Sequence, residues 1–204
     1  MKLIITVPHG KCIPGTKERT CDTSALYMGK QLEMKAKEAG INTVLLESNV
    51  FRKDMDLNRY KSRKTSFRPQ LTKKLKEAMC KGEEVLVMDI HSFPVIDVVG
   101  LSFGEAVEVI MQRKESSFGD NQIVFLDLNK EMSKETRTIA NSIKGYKIGM
   151  YQGDLENDIL LEAKTFKAHG VLMEVSEALT KIQLSDIASQ IVQGFKNMTS
   201  CTIL

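Results

Sequence analysis

Residues 85–92 read VLVMDIHS, an apolar run that closes at His91. A second run, KLIITVPHG at residues 2–10, closes in the same way at His9. If both runs are strands of one parallel sheet, the two imidazoles lie at its carboxyl edge, where open α/β sheets bind ligands. A catalytic zinc site typically uses three protein ligands, and two imidazoles with one carboxylate are a suitable set. The sequence therefore predicts a metal site at this edge.

Apolar runs alternate with longer segments of helical period, which predicts a sheet covered by helices on both faces. We expect a three-layer αβα fold with a mixed, mostly parallel sheet, in one domain over residues 1–204. The predicted strands are Leu3–Val7, Thr43–Leu46, Val85–Ile90, Ile123–Leu126, Tyr146–Gly149 and Val171–Val175. The predicted helices are Asp22–Ala39, Ser66–Cys80, Lys130–Ile143, Glu156–Ala168 and Leu184–Lys196, with a further short helix at Gly104–Met111.

The composition excludes several function classes. Lys and Arg number 29 against 26 Asp and Glu, a near balance that indicates no nucleic-acid partner. No segment reaches the roughly 18 to 20 apolar residues that a bilayer requires, and the amino end does not resemble a signal peptide. We therefore expect a cytoplasmic protein without a membrane span, whose four cysteines stay reduced and form no disulfide.

The segment around His91 places two polar side chains on one face of its strand. Alternate residues of a strand share a face, so Asp89 and His91 point the same way, and Pro94 ends the strand. A lone histidine at a strand end is usually structural, but the same arrangement at His9 favours a shared site. His169 has no such context and is interpreted as structural.

A charged cluster, RKDMDLNR at residues 52–59, follows the predicted strand at Thr43–Leu46 and should lie at the same edge. Arginine is suited to gripping a carboxylate with two parallel hydrogen bonds, which indicates an acidic ligand. A charged turn with an Asp that caps a helix is the alternative.

Glu174 lies near the end of the apolar strand predicted at Val171–Val175. Burying a carboxylate is costly unless it is paired or near a metal. Next to zinc-activated water it could serve as a general base. A strand end at the surface is the alternative.

Taken in order, these residues resemble a known group. His9, Asp56-x-Asn58-Arg59, His91-Ser92 and Glu174 look like the ordered signature of the zinc carboxypeptidase fold. Within that fold, Pro8-His9-Gly10, Asp22, residues 56–59 and Asp89-x-His91-Ser92 most resemble the N-formylglutamate amidohydrolase family. The resemblance covers residues 4–180.

The resemblance implies a zinc-dependent hydrolase that cleaves an amide bond next to a carboxylate. Its substrate would be N-formylglutamate, another N-acyl amino acid or a short peptide. His9 and His91 would bind zinc, and Asp56 would be the carboxylate that orients the imidazole of His9.

The resemblance also implies roles in substrate binding and catalysis. Asn58 and Arg59 would receive the substrate carboxylate, and Asn157 would line the pocket. Arg52 would stabilise the developing oxyanion, and Glu174 would be the general base.

The third zinc ligand departs from the carboxypeptidase pattern. Carboxypeptidases have a Glu three residues after the first His, whereas this chain has Cys12 there. A thiolate can bind zinc, and the alternative ligand is Asp22 at the start of the first predicted helix. We favour Asp22, because a carboxylate leaves zinc a stronger Lewis acid than a thiolate does.

Two other functions are compatible with parts of the sequence. A non-catalytic binding protein on the same fold would have lost the metal, but it would have little need for so complete a set of catalytic residues. Residues 10–17 look like a phosphate-binding loop, but that motif requires Gly-Lys followed by Ser or Thr, and here Thr16 precedes Lys17.

The last four residues, Cys201-Thr202-Ile203-Leu204, fit a prenylation pattern. No polybasic run precedes them, and one lipid chain binds a membrane only marginally. We therefore expect Cys201 to carry no lipid.

Overall fold

A computed structural model of the chain describes residues 1–12, 21–52, 54–59, 65–93, 121–127, 132–152 and 157–200. The strands are β1 (Lys2–Val7), β2 (Thr43–Glu47), β3 (Val85–Phe93), β4 (Ile123–Asp127), β5 (Ile148–Gln152) and β6 (His169–Ser176). The helices are α1 (Thr23–Glu38), α2 (Phe67–Cys80), α3 (Lys134–Ser142), α4 (Asp158–Thr165) and α5 (Lys181–Ser200). The short helix expected at Gly104–Met111 and the prenylation pattern at 201–204 lie outside the described residues.

The strands form one six-stranded sheet in the order β2-β1-β3-β6-β4-β5. Strands β2, β1, β3 and β6 are mutually parallel, whereas β4 runs antiparallel to β6 and parallel to β5. The sheet is therefore mixed and mostly parallel, as predicted. Because β1, β3 and β6 run the same way, His9, His91 and Glu174 all lie toward one edge of the sheet.

Helices cover both faces of this sheet. Helices α1, α3 and α5 pack on one face around a core that includes Ile5, Met28 and Ile191. Helices α2 and α4 pack on the other face around a second core that includes Ile4 and Leu71. This arrangement confirms the predicted three-layer αβα fold. None of the helices within the described ranges combines the length and apolarity needed to cross a bilayer.

A close approach between α1 and β1 brings the beginning of the helix to the end of the strand. A Cβ atom on Gly29 would lie only 2.7 Å from Val7 Cγ2, so only glycine allows this separation. The backbone amide of Asp22 donates to the carbonyl of His9 at 2.8 Å. Residue 22 therefore lies directly beside residue 9.

Two strands differ from the predicted boundaries in ways that matter for the site and the sheet edge. Strand β3 continues beyond Ile90, because its pairing with β6 runs on to Phe93. His91 is therefore inside a strand. Strand β5 begins at Ile148, where its pairing with β4 starts, after Gly145 turns the chain with a φ of 82°.

The expectation that no cysteines pair is wrong. Cys12 and Cys21 form a disulfide, and their Cα atoms are 4.8 Å apart. The hydrogen bond that the Asp22 backbone N–H donates to the His9 carbonyl holds the chain at the end of β1, which brings Cys21 beside Cys12. A spacing of nine residues with no CxxC pair gave no sign of this contact.

Candidate metal centre

Two histidines and one aspartate from three separate elements converge at the carboxyl edge of β1 and β3. His9 follows β1, Asp22 precedes α1, and His91 lies within β3. The Asp22 Oδ2 atom is 3.4 Å from His9 Nδ1 and 3.3 Å from His91 Nδ1. The two imidazole rings are 4.9 Å apart between centroids. All three residues are buried.

The spacing of these atoms fits a divalent metal ion. Zinc bound tetrahedrally at about 2.0–2.1 Å has ligand atoms roughly 3.3 Å apart, close to the two distances to Asp22. His9 Nδ1 is buried and faces Asp22, yet it makes no hydrogen bond within the described part of the chain. A buried nitrogen without such a bond is available to coordinate a cation. The donor set of two imidazoles and a carboxylate therefore fits zinc.

Asp22 occupies the N-cap position of α1, but its side chain makes no capping hydrogen bond. An aspartate at this position usually accepts from a backbone amide in the first turn. Here the carboxylate instead contacts both histidines, and the backbone amide of Ser92 reaches its Oδ2 atom at 3.4 Å. The Asp22 carboxylate therefore does not cap α1 and lies between His9 and His91.

Cys12 is not a thiolate in this structure, because its sulfur is bonded to Cys21. The alternative in which Cys12 supplies the third ligand is therefore contradicted. Asp22 is the carboxylate that lies against both imidazoles.

Each imidazole has a carboxylate at its other nitrogen. His9 Nε2 lies 2.9 Å from Asp56 Oδ1, a contact that the family resemblance implies. His91 Nε2 lies 3.1 Å from Asp89 Oδ2. Metal-binding histidines usually donate the second ring N–H to such a partner, which fixes the tautomer and the ring orientation. Both rings are therefore arranged with Nδ1 directed toward Asp22.

The electrostatics of the cluster favour positive charge between the rings. Burial raises the pKa of Asp22, but its interactions with His9 and His91 outweigh burial and hold the pKa well below its usual range. Burial lowers the pKa of His91, but the charge of Asp89 and hydrogen bonds with Asp22 and Asp89 raise that pKa well above its usual value. Burial raises the pKa of Asp56, but the hydrogen bond from His9 lowers it, and the net effect is a decrease. Three carboxylates, those of Asp22, Asp56 and Asp89, thus surround two imidazoles, and this excess of negative charge favours binding of a cation.

The two arginines of the 52–59 cluster lie at the border of the site. Arg52 Nη1 is 3.7 Å from Asp22 Oδ1, and Arg59 Nε is 3.8 Å from Asp56 Oδ2. Both side chains are about half exposed, at 47% and 50%. The guanidinium groups are thus close to the carboxylates of Asp22, which is buried, and Asp56, which is one-third exposed, and both are accessible to a ligand.

Asn58 contacts the centre itself. Its Nδ2 atom is 2.9 Å from His91 Nε2, while its Oδ1 atom is buried and has no hydrogen-bond partner among the described residues. Asn58 therefore lies in direct contact with the His91 ring.

Asn157 has a place different from the pocket lining expected of it. Its side chain is buried, and its Oδ1 atom accepts from the amide of Leu160 as the N-cap of α4. Its Nδ2 group donates to Asp89 Oδ2 at 2.7 Å. Because both ends of the amide are engaged inside the protein, these contacts favour a positioning role over contact with substrate.

Glu174 lies on β6 directly across from His91, because the two residues are paired in the register of β3 and β6. Its side chain is partly buried. Its charge contributes to raising the pKa of His91, after the larger effects of Asp89 and Asp22. The carboxylate is therefore close enough to act on the centre electrostatically. His169, at the opposite end of β6, is far from it and lies 3.5 Å from Glu135.

The sequence did not reveal the roles of Asp89 and Thr6. Asp89 is fully buried, and Thr6 Oγ1 donates to its Oδ1 atom at 2.6 Å. Because alternate residues of a strand share a face, the sequence does indicate that Asp89 lies on the same face as His91. The partnership with Thr6 depends on the register of β1 against β3, which the sequence does not encode locally.

Comparison with solved structures finds the same fold at low sequence identity. Gene product Atu2144 from Agrobacterium tumefaciens has a TM-score of 0.70 and 14% identity, over 98% of this chain and 91% of that one. N-formylglutamate amidohydrolase from Ralstonia eutropha has a TM-score of 0.61 and 12% identity, over 98% and 93%. Csd4 from Helicobacter pylori, a D,L-carboxypeptidase, has a TM-score of 0.51 and 11% identity, over 96% and 50%.

These similarities confirm the resemblance to the N-formylglutamate amidohydrolase at the level of the fold. No protein-family model and no curated protein sequence matches the chain. The solved structures with this fold include hydrolases of amide bonds.

Proposed function

We propose that the protein is a zinc-dependent hydrolase that cleaves an amide bond next to a carboxylate in a small substrate. The substrate class is N-formylglutamate, another N-acyl amino acid or a short peptide. The observation that carries this proposal is the approach of Asp22 Oδ2 to within 3.4 Å of both His9 Nδ1 and His91 Nδ1. Each ring is also backed by a second carboxylate.

His9, Asp22 and His91 are the residues that would hold zinc. When bound, zinc supplies Lewis acidity, which activates a water molecule and polarises the scissile carbonyl. The three side chains are buried, so the donors stay fixed between turnovers. Asp56 and Asp89 keep the two rings in the orientation that presents Nδ1.

Glu174 is the proposed general base. Its position across from His91 places a carboxylate on the strand next to the ligand. It would take a proton from the attacking water and deliver that proton to the nitrogen of the leaving amine. Partial burial limits competition from bulk solvent while leaving the group accessible to substrate.

The two arginines are proposed to bind the charges of the substrate. Arg52, beside Asp22, would donate to the oxyanion that develops as water attacks the carbonyl. Arg59, beside Asp56, would pair with the substrate carboxylate through two parallel hydrogen bonds. This division of roles uses both half-exposed guanidinium groups at the border of the site.

Asn58 is proposed to bind the substrate carboxylate together with Arg59. Its side chain lies beside the centre, with Nδ2 2.9 Å from His91 Nε2.

The test is a zinc titration of chelator-treated protein, followed by an assay of formate release from N-formylglutamate. The matched control substrate is the analogue in which the carboxylate next to the scissile amide is itself an amide. We expect formate release only with zinc, and a large loss of kcat/KM on the control substrate.

A non-catalytic binding protein on the same fold is the competing function. It predicts that a metal-free chain still binds the N-acyl amino acid and that no member of the substrate class is hydrolysed after zinc is added. Binding of zinc without any hydrolysis of acylated amino acids or short peptides would contradict the proposed reaction.

A further inference from the structure

Asp89 is the one carboxylate of the cluster that solvent does not reach at all. It is 0% exposed, on β3 two residues before His91. A buried carboxylate is costly unless hydrogen bonds compensate it. Here Thr6 donates to Oδ1 at 2.6 Å and Asn157 donates to Oδ2 at 2.7 Å. Two donors from different layers of the fold therefore hold this group.

The same carboxylate contacts His91 Nε2 at 3.1 Å. A ring that donates Nε2–H to Asp89 must present the lone pair of Nδ1 toward Asp22. Thr6 comes from the neighbouring strand β1, where it is the direct partner of Asp89 in the sheet register. Asn157 comes from the beginning of α4, so strand and helix together determine where Asp89 lies.

We propose that Asp89 is a positioning residue for His91, and that Thr6 and Asn157 hold Asp89 for this task. The inference rests on the proposed function, since it assumes that His91 binds the metal. Helix α4 supplies no metal ligand in the proposed set. Through Asn157 and Asp89 it would nevertheless influence the zinc affinity of the centre. Asn157 fulfils two roles at once, because its Oδ1 caps α4 while its Nδ2 binds Asp89.

A matched pair of threonine variants separates positioning from general stability. Thr6→Val removes the hydroxyl that donates to Asp89. Thr136→Val removes a comparable buried hydroxyl, which donates to Asp127 at 3.1 Å. Asp127 ends β4, which runs antiparallel to β6, so this second pair lies at the opposite edge of the sheet.

The readout is the dissociation constant for zinc, measured by competition with a chelator, together with the melting temperature. We expect Thr6→Val to weaken zinc binding by about tenfold and Thr6→Ser to restore it, because an outer partner typically tunes metal affinity by this order. Thr136→Val should lower the melting temperature while zinc affinity stays at the wild-type value. Equal zinc affinity of Thr6→Val and wild type, or equal losses in the two valine variants, would overturn the inference.

Asn157→Ser tests the second donor without removing the helix cap. Serine caps helices about as well as asparagine, but its side chain is too short to replace the amide that reaches Asp89. We expect weaker zinc binding and a changed absorption spectrum of the cobalt-substituted protein, with α4 still formed. An unchanged affinity and spectrum contradicts the inference and leaves the proposed function intact. Failure of the wild-type protein to bind zinc would instead remove both.

Discussion

Asp22 Oδ2 lies 3.3 Å from His91 Nδ1, although 69 positions of sequence separate the two residues. The same oxygen lies 3.4 Å from His9 Nδ1. Asp22 is at the N-cap of α1 but makes no capping hydrogen bond. Its carboxylate instead contacts a histidine from each of the β1 and β3 segments. This relationship makes Asp22 the residue on which the proposed centre depends most.

Replacing Asp22 should abolish metal binding, whereas replacing Cys12 should not. Asp22→Asn keeps the volume of the side chain but removes the anionic oxygen, so we expect no zinc to remain after dialysis. The double variant Cys12→Ser/Cys21→Ser removes the disulfide and both sulfurs as donors, and we expect it to retain zinc. Elemental analysis of the dialysed proteins distinguishes these outcomes, and loss of zinc in the serine variant alone would support a thiolate ligand.

Glu174→Gln should separate chemistry from metal binding. The amide cannot accept the proton of the attacking water, and general acid–base catalysis contributes about 10²–10⁴-fold to rates of this kind. We expect kcat to fall by that order while zinc content stays at the wild-type value. Turnover at the wild-type rate would remove Glu174 from the mechanism.

The two arginines should differ in the kinetic constant that they affect. Arg59→Ala removes a contact made equally in the ground state and the transition state, so we expect a higher KM with little change in kcat. Arg52→Ala removes a donor to the oxyanion, for which losses of about 10²–10³ in kcat are typical. Steady-state kinetics on N-formylglutamate measures both. A fall in kcat confined to Arg59→Ala would reverse the assignment.

Several features of the centre follow from local sequence patterns. His9 follows β1 and His91 lies near the end of β3, and the two strands run in parallel, so both histidines lie at the carboxyl edge. The contact between Asp56 and His9 follows from the resemblance, because the motif at residues 56–59 already ties that carboxylate to the first histidine.

Other features depend on long-range packing that no short pattern reports. The disulfide between Cys12 and Cys21 forms because the chain returns to β1 before α1 begins. Asn157 contacts Asp89 because α4 packs over β3. In the sequence, Asn157 looks like an ordinary helix cap, which it also is. The antiparallel β4 likewise results from a connection whose direction is not visible in the strand itself.

Arg68 supplies a prediction about stability that is independent of the metal. Its guanidinium contacts Glu162 Oε2 through Nη2 at 2.6 Å and Nε at 2.9 Å, between α2 and α4. The two side chains are only 2% and 12% exposed. Removing one partner of a buried pair leaves the other charge uncompensated, which costs about 3–5 kcal/mol.

We therefore expect Arg68→Met to lower the free energy of unfolding by that amount, measured by urea denaturation. The double variant Arg68→Met/Glu162→Leu should recover much of the loss, because no charge is then buried alone. A single variant that is as stable as the double variant would contradict this view of the pair.

Anomalous diffraction at the zinc edge from crystals of the zinc-loaded protein tests whether His9, Asp22 and His91 bind the metal. We predict one strong peak within about 2.0–2.2 Å of His9 Nδ1, Asp22 Oδ2 and His91 Nδ1. The absence of a peak there would contradict the proposed zinc site. So would a peak coordinated through the Nε2 atoms.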